Sequence, residues 1–220
     1  MTRKESGRFR VRARGPVACF TRPEMKAERV SYEVMTPSAA RGLLEAILWK
    51  PAIDWHVHDI SVLTPIQWTS FRRNEVGDRC SPKVRDFYVE ERRAQRNTVA
   101  LRDVDYVLTC SFTLGDRAGP DDNIRKFEEM FARRLERGQC FQQPFLGCRE
   151  FAADVEPAPS EVRPIQPEVD RPLGLMFYDF DYGPGHGAPI RPLFFEARLK
   201  AGVLLVPPRS EVLRSNGGSP

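Results

Sequence analysis

Between Gly15 and Pro51 the chain spells out both ends of a helix. Thr36-Pro37-Ser38 is a start signal. The threonine hydroxyl accepts from the first free backbone N–H groups, and proline at the first helical position forfeits no hydrogen bond. Ala40, Leu43, Leu44 and Ile47 then recur at helical spacing, which puts them on one face. Trp49-Lys50-Pro51 ends the helix, because the residue before a proline is pushed out of the α region. The spacing predicts a helix over 38–48. Ahead of it lie an apolar run, Val17 to Phe20, and a basic loop with Arg22, Lys26 and Arg29, with Tyr32 close by. A helix with one apolar stripe must bury it against another element, and a strand, a long basic loop and a capped helix are a common start for a two-layer α/β domain.

The flanking patterns extend that start. Arg8 to Arg14 alternates basic and apolar residues, which predicts a strand with one face in the core and one lined by arginine. Ile53 to Leu63 reads as a second strand with a bulge near Asp59-Ile60, and His56 and His58 share its polar face. Two histidines at that spacing suit a metal, but no third ligand stands near them in sequence. Residues 65–100 interleave Trp68, Phe71, Phe87 and Tyr88 with many arginines, the composition of a single-strand RNA contact. Alternation over Arg102 to Leu114 predicts a long strand or a strand pair. Asp121-Asp122-Asn123 caps a second helix over 124–137, with Ile124, Phe127, Met130, Phe131 and Leu135 facing inward and Gly138 closing it. Gln139 to Phe151 is a turn-rich loop running into a strand, in which Gly147 permits close backbone approach to RNA or another chain. Five prolines between 156 and 172 read as a linker, and three short strands follow (173–180, 192–199, 203–206) as a small second sheet.

Composition narrows the class. The chain is 29% charged and 41% hydrophobic, and no apolar run approaches the roughly 20 residues of a membrane span. A basic N-terminus without an apolar centre is no secretory signal, so a cytoplasmic protein is the expectation. Net charge is only +4, but 28 of the 34 basic residues are arginine, whose planar fork pairs with phosphate and stacks on bases. A GC-rich genome yields the same bias. The five cysteines are spread out with no CxxC pair, which argues against a zinc ribbon or a disulfide framework and for reduced thiols. No Walker A, GxGxxG, HExxH, GxSxG or paired-carboxylate pattern occurs.

The order of residues resembles CRISPR-associated protein 5 in its subtype I-C (d-type, Dvulg) form. Phe20-Thr21-Arg22-Pro23-Glu24-Met25-Lys26 matches that family's F-T-x-P-x-x-K loop. Ser31 to Thr36 matches S-Y-x-V-x-T, and Trp49-Lys50-Pro51 matches W-K-P. Arg73-Asn74-Glu75, Asp122-Asn123, Phe145 to Glu150 and Pro192 to Phe195 follow in order, so the resemblance covers most of the chain. The element order β-α-β-β-α-β predicts an α+β fold with a ferredoxin-like (RRM-like, RAMP) domain over 1–155, and the resemblance implies a protruding hairpin insertion in it at about 65–100. A small antiparallel β-sheet domain over 156–220 follows, ending in a disordered tail from Arg209. It further implies binding of the 5′ handle of crRNA, a backbone subunit and a large subunit as partners, and a position near target DNA at the PAM end. No cofactor or metal is implied.

The reaction implied is metal-independent RNA cleavage, in which the RNA's own 2′-OH attacks the adjacent phosphate. Such cleavage needs a proton acceptor, a proton donor and stabilisation of the phosphorane. The family is understood to use a tyrosine or histidine just before W-K-P and a Lys-His pair early in the second helix. Here those positions are Leu48, Lys126 and Phe127. Lys126 keeps a charge for phosphate, whereas Leu48 and Phe127 exchange no proton and read as core. Tyr32, His56 and His58 are the candidate substitutes. Candidate RNA contacts are Arg22, Lys26, Arg29, Tyr32, Arg73, Lys126 and Arg149. Three functions fit: a crRNA-holding subunit, a precursor-crRNA endoribonuclease with substituted groups, and an RRM-like RNA binder unrelated to CRISPR.

Overall fold

Strand β1 (Phe9–Ala18) forms where basic and apolar residues alternate, and it buries Val11, Ala13 and Ala18. The computed structural model describes residues 4–25, 27–77, 88–165, 170–183 and 188–214. After β1 come α1 (Pro37–Ile47), β2 (Ile53–Val62), β3 (Gln67–Val76), β4 (Arg93–Leu114), α2 (Ile124–Glu136) and β5 (Asp154–Pro157). The remaining strands are β6 (Arg171–Asp181), β7 (Arg191–Lys200), β8 (Val203–Leu205) and β9 (Leu213–Arg214). The architecture is α+β, with one continuous sheet in the order β5-β1-β4-β2-β8-β7-β6 whose strand pairs are antiparallel.

Helix α1 starts as its sequence predicts. The Thr36 hydroxyl accepts from Ala39 N at 3.2 Å, and Pro37 is the first helical residue. Ala40, Leu43, Leu44 and Ile47 are all buried. Each large aliphatic side chain so covered contributes about 1.5–3 kcal/mol. Asn123 caps α2 by accepting from Lys126 N at 2.9 Å, and Gly138 leaves the helix at φ +63°. Phe127, Phe131 and Leu135 are its buried stripe, while Ile124 and Met130 are half-covered. Phe131 meets Phe9 and Trp55, whose rings lie 4.9 and 4.7 Å away, in an aromatic layer under the sheet.

The bulge in β2 lies between Val57 and Asp59, and it moves Ile60 and Val62 onto the buried side with Trp55. Strand β4 is a single 22-residue strand that bends at Asp103, where φ is +52°. An aspartate tolerates that conformation better than most side chains. Beyond the bend, β4 pairs with β3 over Arg93–Arg102, which makes the hairpin expected from the insertion. Residues 78–87 at its far end, including Phe87, lie outside the described residues.

Three sequence expectations need correction. The C-terminal strands are not a separate sheet: Asp59–Ser61 of β2 pair with Val203–Leu205 of β8, which carries the sheet on into β7 and β6. The tail is structured from Arg209 to Arg214, since β8 covers only Leu199 and Lys200 of β7 and leaves an edge that Leu213 and Arg214 take, while residues 215–220 lie outside the described residues. The proline-rich stretch begins inside the sheet, because Asp154–Pro157 form edge strand β5 on β1. That edge uses the arginine face of β1. Arg12 forks onto Asp105 at 2.6 and 3.0 Å and reaches Glu156 at 3.2 Å, and Arg10 donates to the carbonyls of Pro159 and Ser160.

Candidate nucleic-acid interface

Two groups of candidate residues emerge at different places. The first sits where the basic loop, the root of the hairpin and the 145–151 loop meet. The basic loop is laced to β4: Ser31 N donates to Val99 O and Val99 N to Arg29 O, at 2.9 and 2.8 Å. Arg22 lies over the Tyr32 ring at 4.4 Å. Arg29 pairs with Glu150 and, at 3.7 Å, with Glu75, and Arg73 pairs with the same Glu75 while donating to Thr98 Oγ1 at 2.6 Å. Arg149, next to Glu150, is exposed and forms no ion pair among the described residues. Lys26 lies outside the described residues.

Tyr32 belongs to the core rather than to this surface. It is 1% exposed, and its hydroxyl oxygen accepts from Phe177 N at 3.2 Å. Burial raises its pKa, so it has neither a free face for a base nor the acidity of an accessible phenol. The aromatic handles of this region are Trp68 and Tyr88 of the hairpin, both exposed, and Phe71, which sits edge-on against Phe151.

The second group surrounds a cleft of about 820 Å³ between β2, the end of α1, β6 and the segment after β8. Trp49, Lys50, His56, His58, Arg117 and Tyr182 line it. The two histidines are brought together here as their shared strand face predicts. His56 Nε2 is 3.0 Å from Thr113 Oγ1, and His58 Nε2 is 2.7 Å from Ser111 Oγ. Ser111 donates to Glu5 at 2.5 Å, so His58 must supply the proton to Ser111 and keeps Nδ1 as its acceptor. Desolvation depresses the His58 pKa, which favours the neutral ring, and the Ser111 hydrogen bond depresses that of Glu5. A neutral imidazole with one open nitrogen is chemically able to accept a proton.

Two of the three positions that the resemblance points to are apolar and internal. Leu48 is 0% exposed, and its carbonyl accepts from Trp55 Nε1 at 3.2 Å. Phe127 is 2% exposed and packs on Phe112. Lys126, one residue earlier, points to solvent and pairs with Asp122 at 3.0 Å. Sequence reasoning missed an aromatic ledge beside the cleft. Trp49 and Phe141 stack with centroids 6.0 Å apart at 28°, and are 47% and 61% exposed. Two apolar residues left outside every predicted stripe were the available signal. Also missed was the tie between α1 and β6, where Arg41 forks onto Asp179 at 2.7 and 3.0 Å and holds Glu45 at 2.6 Å.

Comparison with known proteins places this geometry in context. A family model for the d-type CRISPR-associated protein (Cas5) matches residues 9–207. A Mannheimia succiniciproducens protein named CRISPR pre-crRNA endoribonuclease Cas5d is 46% identical, over 92% of this chain and 96% of its own. A Thermus thermophilus protein of the same name is 42% identical, over 91% of each chain. A solved structure described as a CRISPR-associated protein superposes with a TM-score of 0.74 at 25% identity, covering 96% of this chain and 97% of the other.

Proposed function

The chain belongs to the CRISPR-associated Cas5d family, and on that premise we propose that it is a type I-C surveillance-complex subunit that holds the 5′ repeat-derived handle of crRNA. It caps one end of the assembly in antiviral defence, beside the backbone and large subunits and near the PAM end of target DNA, in the cytoplasm. The observation that carries this reading is the burial of Leu48 and Phe127 in the core. With those positions apolar, the chain keeps cations for phosphate but not the family's acid–base pair. The sheet order β5-β1-β4-β2, with α1 and α2 as its crossovers, supports a ferredoxin-like core over the first 155 residues. The C-terminal strands are proposed as a second unit joined to it through β8. Arg22, Arg29, Arg73 and Arg149 form the phosphate-facing side, Lys26 is a contact proposed from the sequence of the same loop, and Lys126 forms a separate contact at the start of α2.

The basic side is tested through Arg149, the exposed cation of the group without an ion pair among the described residues. Arg149→Glu weakens binding of handle RNA several-fold, and the slope of log affinity against log salt becomes shallower by about 1. An unchanged slope in a filter-binding titration would remove Arg149 from the phosphate contacts.

A second reading is favoured by one feature of the fold. The cleft gathers His56, His58 and Lys50, and both curated relatives carry the name pre-crRNA endoribonuclease. In that reading His58 Nδ1 takes the 2′-OH proton, and Lys50 and Arg117 steady the phosphorane.

A further inference from the structure

The loop that carries Arg149 also carries Cys148, and it is pressed against the end of β1. Cys19 N donates to Leu146 O at 3.0 Å. Gly147, at φ +85°, lets the backbone approach so closely that a Cβ there would stand 2.1 Å from the Cys19 carbonyl oxygen. Two cysteines 129 positions apart in sequence are thereby brought together, with the Cys148 thiol donating to the Cys19 carbonyl. Thr21 Oγ1 lies between them, 3.5 Å from Cys19 Sγ and 3.9 Å from Cys148 Sγ, and Cys148 Sγ is 3.5 Å from the Cys19 carbonyl oxygen. Cys19 is fully buried, whereas Cys148 is partly open to solvent.

We propose that Cys148 and Cys19 are an oxidisable pair, with Cys148 the thiolate that reacts with a hydroperoxide and Cys19 the thiol that resolves it into a disulfide. In the first step the Cys148 sulfur attacks the peroxide, the O–O bond breaks, and a sulfenic acid and an alcohol or water result. In the second step Cys19 attacks that sulfur, an S–S bond forms, and water leaves, so that two thiols and one peroxide are consumed. Both thiols are needed within reach of each other, and the Gly147 turn supplies that proximity.

The surroundings favour the division of roles. The neighbouring Cys19 thiol is the main influence lowering the Cys148 pKa, with Thr21 and the charge of Arg29 adding to it. Burial and the nearby Glu150 carboxylate oppose them. Cys19 is pushed the other way, by the neighbouring Cys148 sulfur and by burial, so it stays a thiol until Cys148 is oxidised. Low-pKa, accessible thiols next to a resolving cysteine are the ones that oxidise selectively.

The test uses the full chain treated with hydrogen peroxide. Expected are a loss of two hydrogens in the intact mass and a peptide joining Cys19 to Cys148. Cys19→Ser stops at a sulfenic acid on Cys148 that dimedone traps, and Cys148→Ser forms no cross-link. Because either variant can disturb packing, unmodified protein is also alkylated across a pH series. Cys148 reacts at least about 10-fold faster than Cys140 at pH 7, with a midpoint well below the ordinary thiol value of about 8.5. Faster reaction at Cys80 or Cys140, or a peroxide-treated protein with no 19–148 cross-link, overturns the proposal.

Discussion

Leu48→Tyr combined with Phe127→His gives a protein that cuts repeat RNA without metal, at least about 10-fold faster than the unaltered chain. Each proton-transfer group is worth about 10²–10⁴ in rate when well placed. The gain stays at the low end because both positions are packed. Leu48 is sealed in the core and its carbonyl holds Trp55 Nε1, while Phe127 rests on Phe112. A phenol and an imidazole introduced there also lack the surrounding hydrogen bonds that orient such groups. The same substitutions cost about 1–3 kcal/mol of stability through overpacking and buried polar atoms. The measurement is a single-turnover cleavage assay in EDTA, with the upstream product checked for a 2′,3′-cyclic phosphate. A double variant that folds, binds RNA and shows no gain would mean that these two positions do not limit cleavage in this chain.

Gly147→Ala is the substitution with the largest expected structural effect. Alanine at φ +85° is strained by about 1–3 kcal/mol on backbone grounds alone. Its methyl group would also overlap the carbonyl carbon and oxygen of Cys19, which are backbone atoms and cannot swing aside. The loop must then lift off β1, breaking the Cys19 N–Leu146 O hydrogen bond and exposing Leu146, which is fully buried. Together these give a loss of at least about 3 kcal/mol in urea unfolding. A loss below 1 kcal/mol would show that the loop can move without cost. Gly138→Ala is the comparison, since no atom lies within 4 Å of its added methyl and only the positive φ penalises it.

What could be read ahead of the structure was local. The cap at Thr36 and the stop at Pro51 act within one turn of chain, and α1 lies where they place it. The bulge in β2 was legible because the alternation of residues slips by one near Asp59-Ile60, close to the register shift between Val57 and Asp59. What escaped was long-range. Nothing in Val203–Leu205 reveals that the edge it joins is β2. The arginines of β1 read as a free basic face because Asp105 and Glu156, which neutralise Arg12, are distant in sequence. Tyr32 looked like an RNA contact because it follows a basic loop, but its ring and hydroxyl face inward, where Arg22 covers the ring and Phe177 N meets the oxygen. Leu48 and Phe127 were readable as core because apolar residues at helical spacing leave few other places for them. The Trp49–Phe141 ledge and the histidine cleft depend on how α1, β2 and β6 meet, which periodicity does not encode.

On the proposed reading, this Cas5d-family chain holds RNA without an efficient acid–base pair. One gel tests it: repeat-containing RNA, end-labelled, incubated with excess pure protein in EDTA, and split between a native lane and a denaturing lane. Expected are a retarded complex in the native lane and full-length RNA in the denaturing lane. Rapid conversion to a discrete shorter product ending in a 2′,3′-cyclic phosphate would contradict it and turn the search for the acid and base to His56 and His58.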